Sequence, residues 1–501
     1  MTGTGVNLTS PMGLDGDAAY QVIVSRDRRF DGRLWFGVTS TGIYCRPVCP
    51  AQTPMQANVR FFALPAAAVS AGFRACKRCR PDSSPGSRQW DYRRDLTAQA
   101  LRLIADGVVD DAGVAGLAAT LHVSERHVHR TLVAEVGAGP LQLAQSRRAQ
   151  TARMLLEQTD LAVSEVAFAA GFRSLRQFND VIKREFGAPP SGLRKPAGPA
   201  LEAHDRLLVL RLRFRPPYDA QQLGQFLAAR AIPGLEVHSN SESGWVHRRM
   251  IQLPSRPASI EVSVQSDHVL VRSDGDVRDT SRLVRKVQQW LDLNADPDSI
   301  NDVLGRDKIL RPLVKRRPGM RVPTTVDAWE TLVRAIVGQQ VSVSGATTVL
   351  GRLVAATRSS TATRSSTDTE LVAFPSPNQV AELGVDRVAQ LGMPGARART
   401  IVTVAQAVAE GQVDLRNPDT QALRASLLAT PGLGPWTVNY LGMRGLGDPD
   451  AFPETDLIIR QNASRLGLPD NARALAGYAQ VWSPWRAYAA HHIWSLPKEQ
   501  R

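Results

Sequence analysis

Four cysteines and one aspartate are the residues of this 501-residue chain whose type and spacing point most directly to chemistry. Cys45 and Cys49 are separated by three residues, twenty-six more intervene, and Cys76 and Cys79 are separated by two. Two short chelating pairs at this distance fit a tetrahedral zinc site of four thiolates, with Zn–S bonds of about 2.3 Å. All four cysteines of the chain lie in it. Such a site is either a staple for a small domain or a reactive centre. Zinc with four thiolates is doubly negative, so the sulfurs keep nucleophilic character. Arg46, Arg74, Lys77, Arg78 and Arg80 form a basic collar able to hold a phosphate backbone against that charge. A methyl group on the backbone would face a thiolate, and its transfer would remove one negative charge.

The aspartate is Asp456, in FPETDLIIR at the start of an apolar helix and twenty residues after Trp436 of TPGLGPW. Gly432 and Gly434 suit a tight hairpin whose backbone amides meet a DNA phosphate or a bound monovalent cation beside one. Asp456 has two readings: a helix cap, or a carboxylate that stabilises positive charge at a sugar C1′ and orients water as a base departs.

Elements must position these groups. A chain of 54.5 kDa exceeds one core, so about three or four domains are expected. There are 61 basic against 47 acidic side chains, a net +14, which favours a polyanionic partner. With 43% hydrophobic residues and no long apolar run, the composition excludes a membrane span, a collagenous chain or wholesale disorder. Residues 1–16 lack the features of a signal peptide, so a cytoplasmic location is expected. Two Pro/Gly/Ser-rich stretches, Arg80–Arg88 and Arg194–Ala200, read as linkers, and LNADPDSIND near residue 300 reads as a long loop. The tandem ATRSST at 356–367 reads as a mobile surface insertion.

Between the two linkers the pattern is helical. In VAGLAATLHVSERHVHRTLVA (114–134), Ser124 caps a helix after a turn at His122–Val123. A second such unit spans 163–186, with Gly171 in the turn and Ser174 starting the next helix. The pair is either a plain helical bundle or two DNA-reading units whose Arg126, His127, His129 and Arg130 contact phosphates or bases. Further on, Leu210, Leu212 and Phe214 alternate with arginines, and Ile260, Val262 and Val264 face Val269 and Val271 across a Ser266–Asp267 turn. An antiparallel sheet is predicted there. From Thr325 helices return, with Trp329, Leu332, Val333, Ile336 and Val337 on one face.

Three resemblances follow from these residues. WFGVTSTGIYCRPVCP, NVRFF and AGFRACKRCRPD resemble the N-terminal domain of the Ada family, which repairs DNA methylphosphotriesters by irreversible self-methylation. That resemblance implies that Cys45 accepts the methyl while Cys49, Cys76 and Cys79 remain zinc ligands. The paired helical units resemble the AraC-type double helix-turn-helix, although Val181 and Lys183–Arg184 depart from its pattern. RPPYDAQQLGQFLAARA, AIVGQQVSV, GMP, PGLGPWTVNYLGMRGLG and SPWRAYAAHHIW resemble the helix-hairpin-helix DNA glycosylases of the AlkA type. This last resemblance makes Asp456 the catalytic carboxylate and lines a base pocket with Trp436, Tyr440, Trp494 and Phe226, rings that could equally be core packing. Electron-rich faces suit cationic alkylated purines, by about 0.5 to 2 kcal/mol. Trp436 stands where bifunctional members carry a Schiff-base lysine, so strand cleavage is not expected. Gln340 occupies the wedge position, usually leucine, that fills the gap left by a flipped base.

The expected fold is therefore multidomain and mainly α with α+β parts. It comprises a small zinc-bound Ada-type α/β domain (1–88), an AraC-type double helix-turn-helix (89–197), an AlkA-type N-terminal α/β subdomain (201–304) and an all-helical helix-hairpin-helix glycosylase domain (305–501). The expected function is a DNA alkylation response: methyl transfer to Cys45, methylation-activated transcription, and monofunctional release of 3-methyladenine-type bases. Expected partners are alkylated and promoter double-stranded DNA, with RNA polymerase following from the regulator resemblance. Two rivals stay open: a transcription factor with an inactive glycosylase half, and a repair enzyme without promoter-specific control.

Overall fold

The computed structural model describes residues 15–27, 30–31, 34–79, 81, 96–194, 207–241, 244–358, 371–415 and 420–496. Arg80, the expected linkers beyond Pro81 and Arg194, and residues 359–367 of the ATRSST repeat lie outside them. The chain divides into two compact units, 1–202 and 203–501.

After helix Gly16–Val24, the first unit forms a four-stranded sheet in the order β3-β1-β2-β4. Its strands are β1 (Trp35–Val38), β2 (Ile43–Cys45), β3 (Val59–Phe62) and β4 (Arg74–Ala75). β1 pairs antiparallel with β2 and β3, whereas β4 runs parallel to β2 through Ile43↔Arg74 and Tyr44↔Ala75. The Cys76 N–H extends this pairing by donating to the Tyr44 carbonyl at 3.0 Å. Two cysteine pairs distant in sequence are thereby delivered to the same end of adjacent strands. Gly37 is required beneath them, because a Cβ there would lie 2.7 Å from the Phe73 ring.

Helices complete this unit. Val108–Thr120 and Glu125–Val136 form the first helix pair, and Val163–Ala169 and Leu175–Phe186 the second, joined by Pro140–Gln158. The turns take left-handed backbone at His122 (φ 54°) and Gly171 (φ 89°). Ser124 Oγ accepts from the His127 N–H and Ser174 Oγ from the Gln177 N–H, each at 3.2 Å, so both second helices start on the residues expected. Their apolar stripes, Val128/Leu132/Val136 and Phe178/Ile182/Phe186, are buried, leaving the opposite faces to solvent.

The second unit begins with β5 (Leu208–Arg213), β6 (Glu236–Ser241), β7 (Gly244–Ile251), β8 (Ala258–Val264) and β9 (His268–Ser273). They form an antiparallel sheet in the order β5-β9-β8-β7-β6. The expected hairpin is present, with Val262↔Val271 and Val264↔Val269 in register. The expected loop near residue 300 is not: Pro297–Leu304 is a helix capped by Asp296, with proline in its first turn. Proline there lacks only an N–H that would be unpaired anyway, so the Asp-Pro pair starts a helix rather than breaking one.

Helix Ala328–Val337 is buried on nearly all sides and centres the helical core, packed among Leu350, Val354, Ile401, Leu427 and Leu441. It is tied to the sheet by a buried quartet. Arg249 meets Glu236 at 2.9 Å and Glu330 at 2.6 Å, while Arg334 meets both carboxylates at 2.8 Å. Removing one member would strand an unpaired buried charge. This clamp orients the segment that carries Gln339 and Gln340. Among the described residues no helix is long and apolar enough to cross a membrane.

Candidate functional site

Two centres emerge, one in each unit. In the first, the four cysteine sulfurs lie within 4.8 Å of one another, and all four residues are buried. Tetrahedral coordination with Zn–S bonds of about 2.3 Å needs sulfurs about 3.8 Å apart, so the residues fit zinc. The Arg46 N–H points at Cys79 Sγ from 3.5 Å.

The collar residues divide. Lys77 and Arg78 are exposed. Arg46 is instead paired with Asp31 and donates to the Cys79 carbonyl at 3.3 Å. Arg74 is half-buried, with its Cδ 3.0 Å from where a Cβ of Gly187 would stand, at the C-terminus of the second reading helix. On the first reading helix Arg126, His129 and Arg130 are exposed, while His127 is half-buried with Nδ1 3.4 Å from the Arg130 guanidinium.

The second centre is built around Asp456. Its backbone is extended and it caps helix Leu457–Arg465, with Oδ1 accepting from the Ile459 N–H at 2.9 Å. Oδ1 also accepts from Trp494 Nε1 at 2.9 Å, and Oδ2 accepts from Trp436 Nε1 at 2.8 Å. The two sequence readings of this aspartate are therefore compatible: the capped Ile459 N–H is one of three donors that fix the carboxylate's orientation. Trp436 and Trp494 serve as hydrogen-bond donors as well as ring surfaces, a role that residue type alone did not suggest.

Around the carboxylate, Trp436 stacks on Tyr440 with centroids 5.2 Å apart, and Tyr440 meets the Trp494 edge at 6.4 Å. Phe226 joins this cluster through two guanidiniums: Arg230 Cζ lies 4.0 Å and Arg444 Cζ 4.2 Å from its ring centroid. Arg444 is also 6.0 Å from the Tyr440 ring and 5.8 Å from that of Trp494. Sequence reasoning missed both arginines. The signal was helical spacing, since Trp436, Tyr440 and Arg444 fall at i, i+4 and i+8, and Phe226 and Arg230 at i and i+4.

The hairpin lies between helices Thr420–Leu428 and Pro435–Arg444. Gly432 has φ 87°, and a Cβ there would come within 2.0 Å of Thr400 Oγ1, so only glycine fits. Gly434 caps the second helix with open space around its Cβ position. Gln339 Nε2 donates to Thr437 Oγ1 at 2.9 Å and to the Gly432 carbonyl at 3.4 Å, holding the next residue beside the hairpin. Gln340 is exposed with left-handed backbone (φ 58°), flanked by exposed Val341 and Val343. The apolar surface absent at position 340 is thus present close by.

Comparison with known proteins matches both centres. Family models match the metal-binding domain of Ada at residues 18–82, a helix-turn-helix domain at 117–196, the AlkA N-terminal domain at 209–327, and the HhH-GPD base excision DNA repair superfamily at 333–487. A Mycobacterium tuberculosis protein named "Probable bifunctional transcriptional activator/DNA repair enzyme AlkA" is 45% identical over 96% of both chains. DNA-3-methyladenine glycosylase 2 of Escherichia coli is 33% identical over 56% of this chain and 95% of its own. Among solved structures, a 3-methyladenine DNA-glycosylase from Archaeoglobus fulgidus covers 57% of this chain and 96% of its own, with a TM-score of 0.50 and 21% identity, which supports the fold of the second unit. The chain belongs to the family of AlkA-type bifunctional transcriptional activator/DNA repair proteins.

Proposed function

We propose that the chain takes methyl groups from DNA methylphosphotriesters onto Cys45, regulates transcription in response, and excises alkylated bases through Asp456. The observation that carries the enzymatic reading is the fixed carboxylate: both Asp456 oxygens are held by indole N–H groups whose rings border the same cluster.

Cys45, Cys49, Cys76 and Cys79 would hold a zinc ion that would keep their thiolates deprotonated and leave the site doubly negative. Cys45 Sγ attacks the methyl carbon, the carbon–oxygen bond breaks, and its electron pair stays on the phosphate, restoring a diester. The protein loses one negative charge and its repulsion of DNA falls. Exposed Lys77, Arg78, Arg126 and Arg130 take phosphates, each contact adding about −0.9 to the slope of log affinity against log salt. Arg46, paired with Asp31, acts as a positioning residue, and half-buried Arg74 lies beside Gly187. RNA polymerase is the partner that an activator of this kind requires, and the cytoplasm is the compartment that holds both.

In the second unit, the C1′–N bond breaks with its electrons going to the base. Asp456 stabilises the positive charge left on the sugar and orients the water that adds to C1′. Trp436 Nε1 is already engaged by Asp456 and offers no amine, so the reaction ends at an abasic site without strand cleavage. Gln340, with Val341 and Val343, fills the gap left by the flipped nucleotide. The parts divide at about residues 88, 200 and 304.

Two assays test this. Mass spectrometry after incubation with methylated DNA should find one added methyl on the Cys45 peptide. Footprinting before and after that reaction should show promoter protection only in the methylated protein. A chain modified elsewhere, or protection in neither state, contradicts the regulator reading.

A further inference from the structure

Beneath the aromatic cluster lie two cations with no counter-charge among the described residues. Arg444 is only 5% exposed; one of its terminal nitrogens donates to the Pro323 carbonyl, and its Nε has no hydrogen-bond partner. Among the described residues no carboxylate lies within ion-pair distance of Arg444 or Arg230. Burial lowers both guanidinium pKa values, Arg444 to about 10, so Arg444 stays charged at neutral pH. The nearby His491 is buried, its Nε2 is unpartnered, and burial holds it well below its ordinary range, so it is neutral. Cation faces cation when a positively charged purine enters: the protein's own guanidiniums already occupy the Phe226 ring that would have welcomed it.

The charge flow of the reaction gives this arrangement a purpose. As the C1′–N bond breaks, its electron pair moves onto the base. A cationic base becomes neutral, while an uncharged base becomes an anion that then takes a proton from solvent. In both cases one unit of negative charge moves toward Arg444, and positive charge develops on the sugar beside Asp456.

We propose that Arg444, assisted by Arg230, is a specificity-determining residue that opposes a base entering with positive charge and stabilises a base leaving with negative charge. This rests on the reading of Asp456 and its rings as a base-excision site. The consequence differs by substrate. For a cationic base the guanidinium raises the ground state and leaves the transition state little changed, so it raises kcat and KM together. For an uncharged base it leaves the ground state alone and lowers the transition state, so it raises kcat without raising KM.

The test compares release of 7-methylguanine, cationic in DNA, with release of hypoxanthine, uncharged in DNA, by the full chain and by Arg444→Met, Arg444→Lys and Arg230→Met. Arg444→Met should lower kcat for both by roughly 10- to 100-fold, the scale of a charge about 6 Å away in a partly screened site. For 7-methylguanine KM should fall in parallel, leaving kcat/KM nearly constant. For hypoxanthine KM should hold and kcat/KM should fall. Arg444→Lys should restore much of the wild-type pattern. Arg230→Met, at a position less buried than Arg444, should show the same split in weaker form even if the Arg444→Met chain folds poorly. Equal losses of kcat/KM for both bases would overturn the proposal, as would wild-type release of 7-methylguanine without any of hypoxanthine. Absence of both releases would overturn the base-excision reading itself.

Discussion

The sulfur tetrad and the tryptophan-held carboxylate are built in opposite ways. The tetrad comes from four residues of one type within 35 positions, delivered by one parallel strand pairing. The carboxylate site gathers Phe226, Trp436, Asp456 and Trp494, from positions more than 260 apart. Its carboxylate is held by indole N–H groups that any reading by ring type overlooks. A local chelating site concentrates its information in spacing, whereas an assembled pocket stores it in tertiary contacts. The first is expected to collapse when one ligand is lost, and the second to degrade in graded steps.

The largest effect should come from the tetrad. Cys76→Ser removes one ligand, and structural zinc contributes about 10–16 kcal/mol to the folding of small domains. Zinc content should fall from one per chain to near none, and the β1–β4 sheet should unfold, while base release by the second unit persists. Retained zinc in this variant would break the comparison.

Next is a pH effect at a second carboxylate of the glycosylase unit. Asp292 is 3% exposed, has left-handed backbone (φ 54°), and accepts from the Tyr488 hydroxyl at 2.9 Å and the Val322 N–H at 3.0 Å. Burial pushes its carboxyl up to about 7. Because the folded pKa lies above the unfolded one, the folded state holds this proton more tightly. Its stabilising contribution is complete below about pH 4 and is lost as pH rises to about 7, by up to about 1.4 kcal/mol per pH unit. Denaturant melts of the second unit should show that slope in wild type and lose it in Asp292→Asn.

The smallest effect sharpens the pocket. Trp494→Phe keeps a ring but removes one donor to Asp456, costing about 1 kcal/mol of stability and, where that energy orients the carboxylate, about fivefold in release rate. A rate unchanged within about twofold would mean that Trp494 acts only as a surface.

Much of this was legible because the informative residues were close in sequence. The cysteine pairs, the Ser124 and Ser174 caps and the Val262/Val271 register all depend on short spacing. The helix at Pro297–Leu304 escaped because an Asp-Pro pair in a polar stretch reads equally as a turn. The Glu236–Arg249–Glu330–Arg334 quartet escaped for a stronger reason. Its members are up to 98 positions apart, and each alone looks like a solvated charge. Arg444 was legible in principle from its helical spacing to Tyr440, but a lone arginine after an aromatic is ordinarily taken for surface.

The most direct measurement is release of 3-methyladenine from methylated duplex by the wild-type chain and by Asp456→Asn. Asparagine preserves the cap and can still meet an indole donor, so the variant should fold and bind DNA while its release rate falls by about 10²- to 10³-fold. Release at the wild-type rate by a folded Asp456→Asn chain would contradict the assignment of that carboxylate, and with it the account of the second unit.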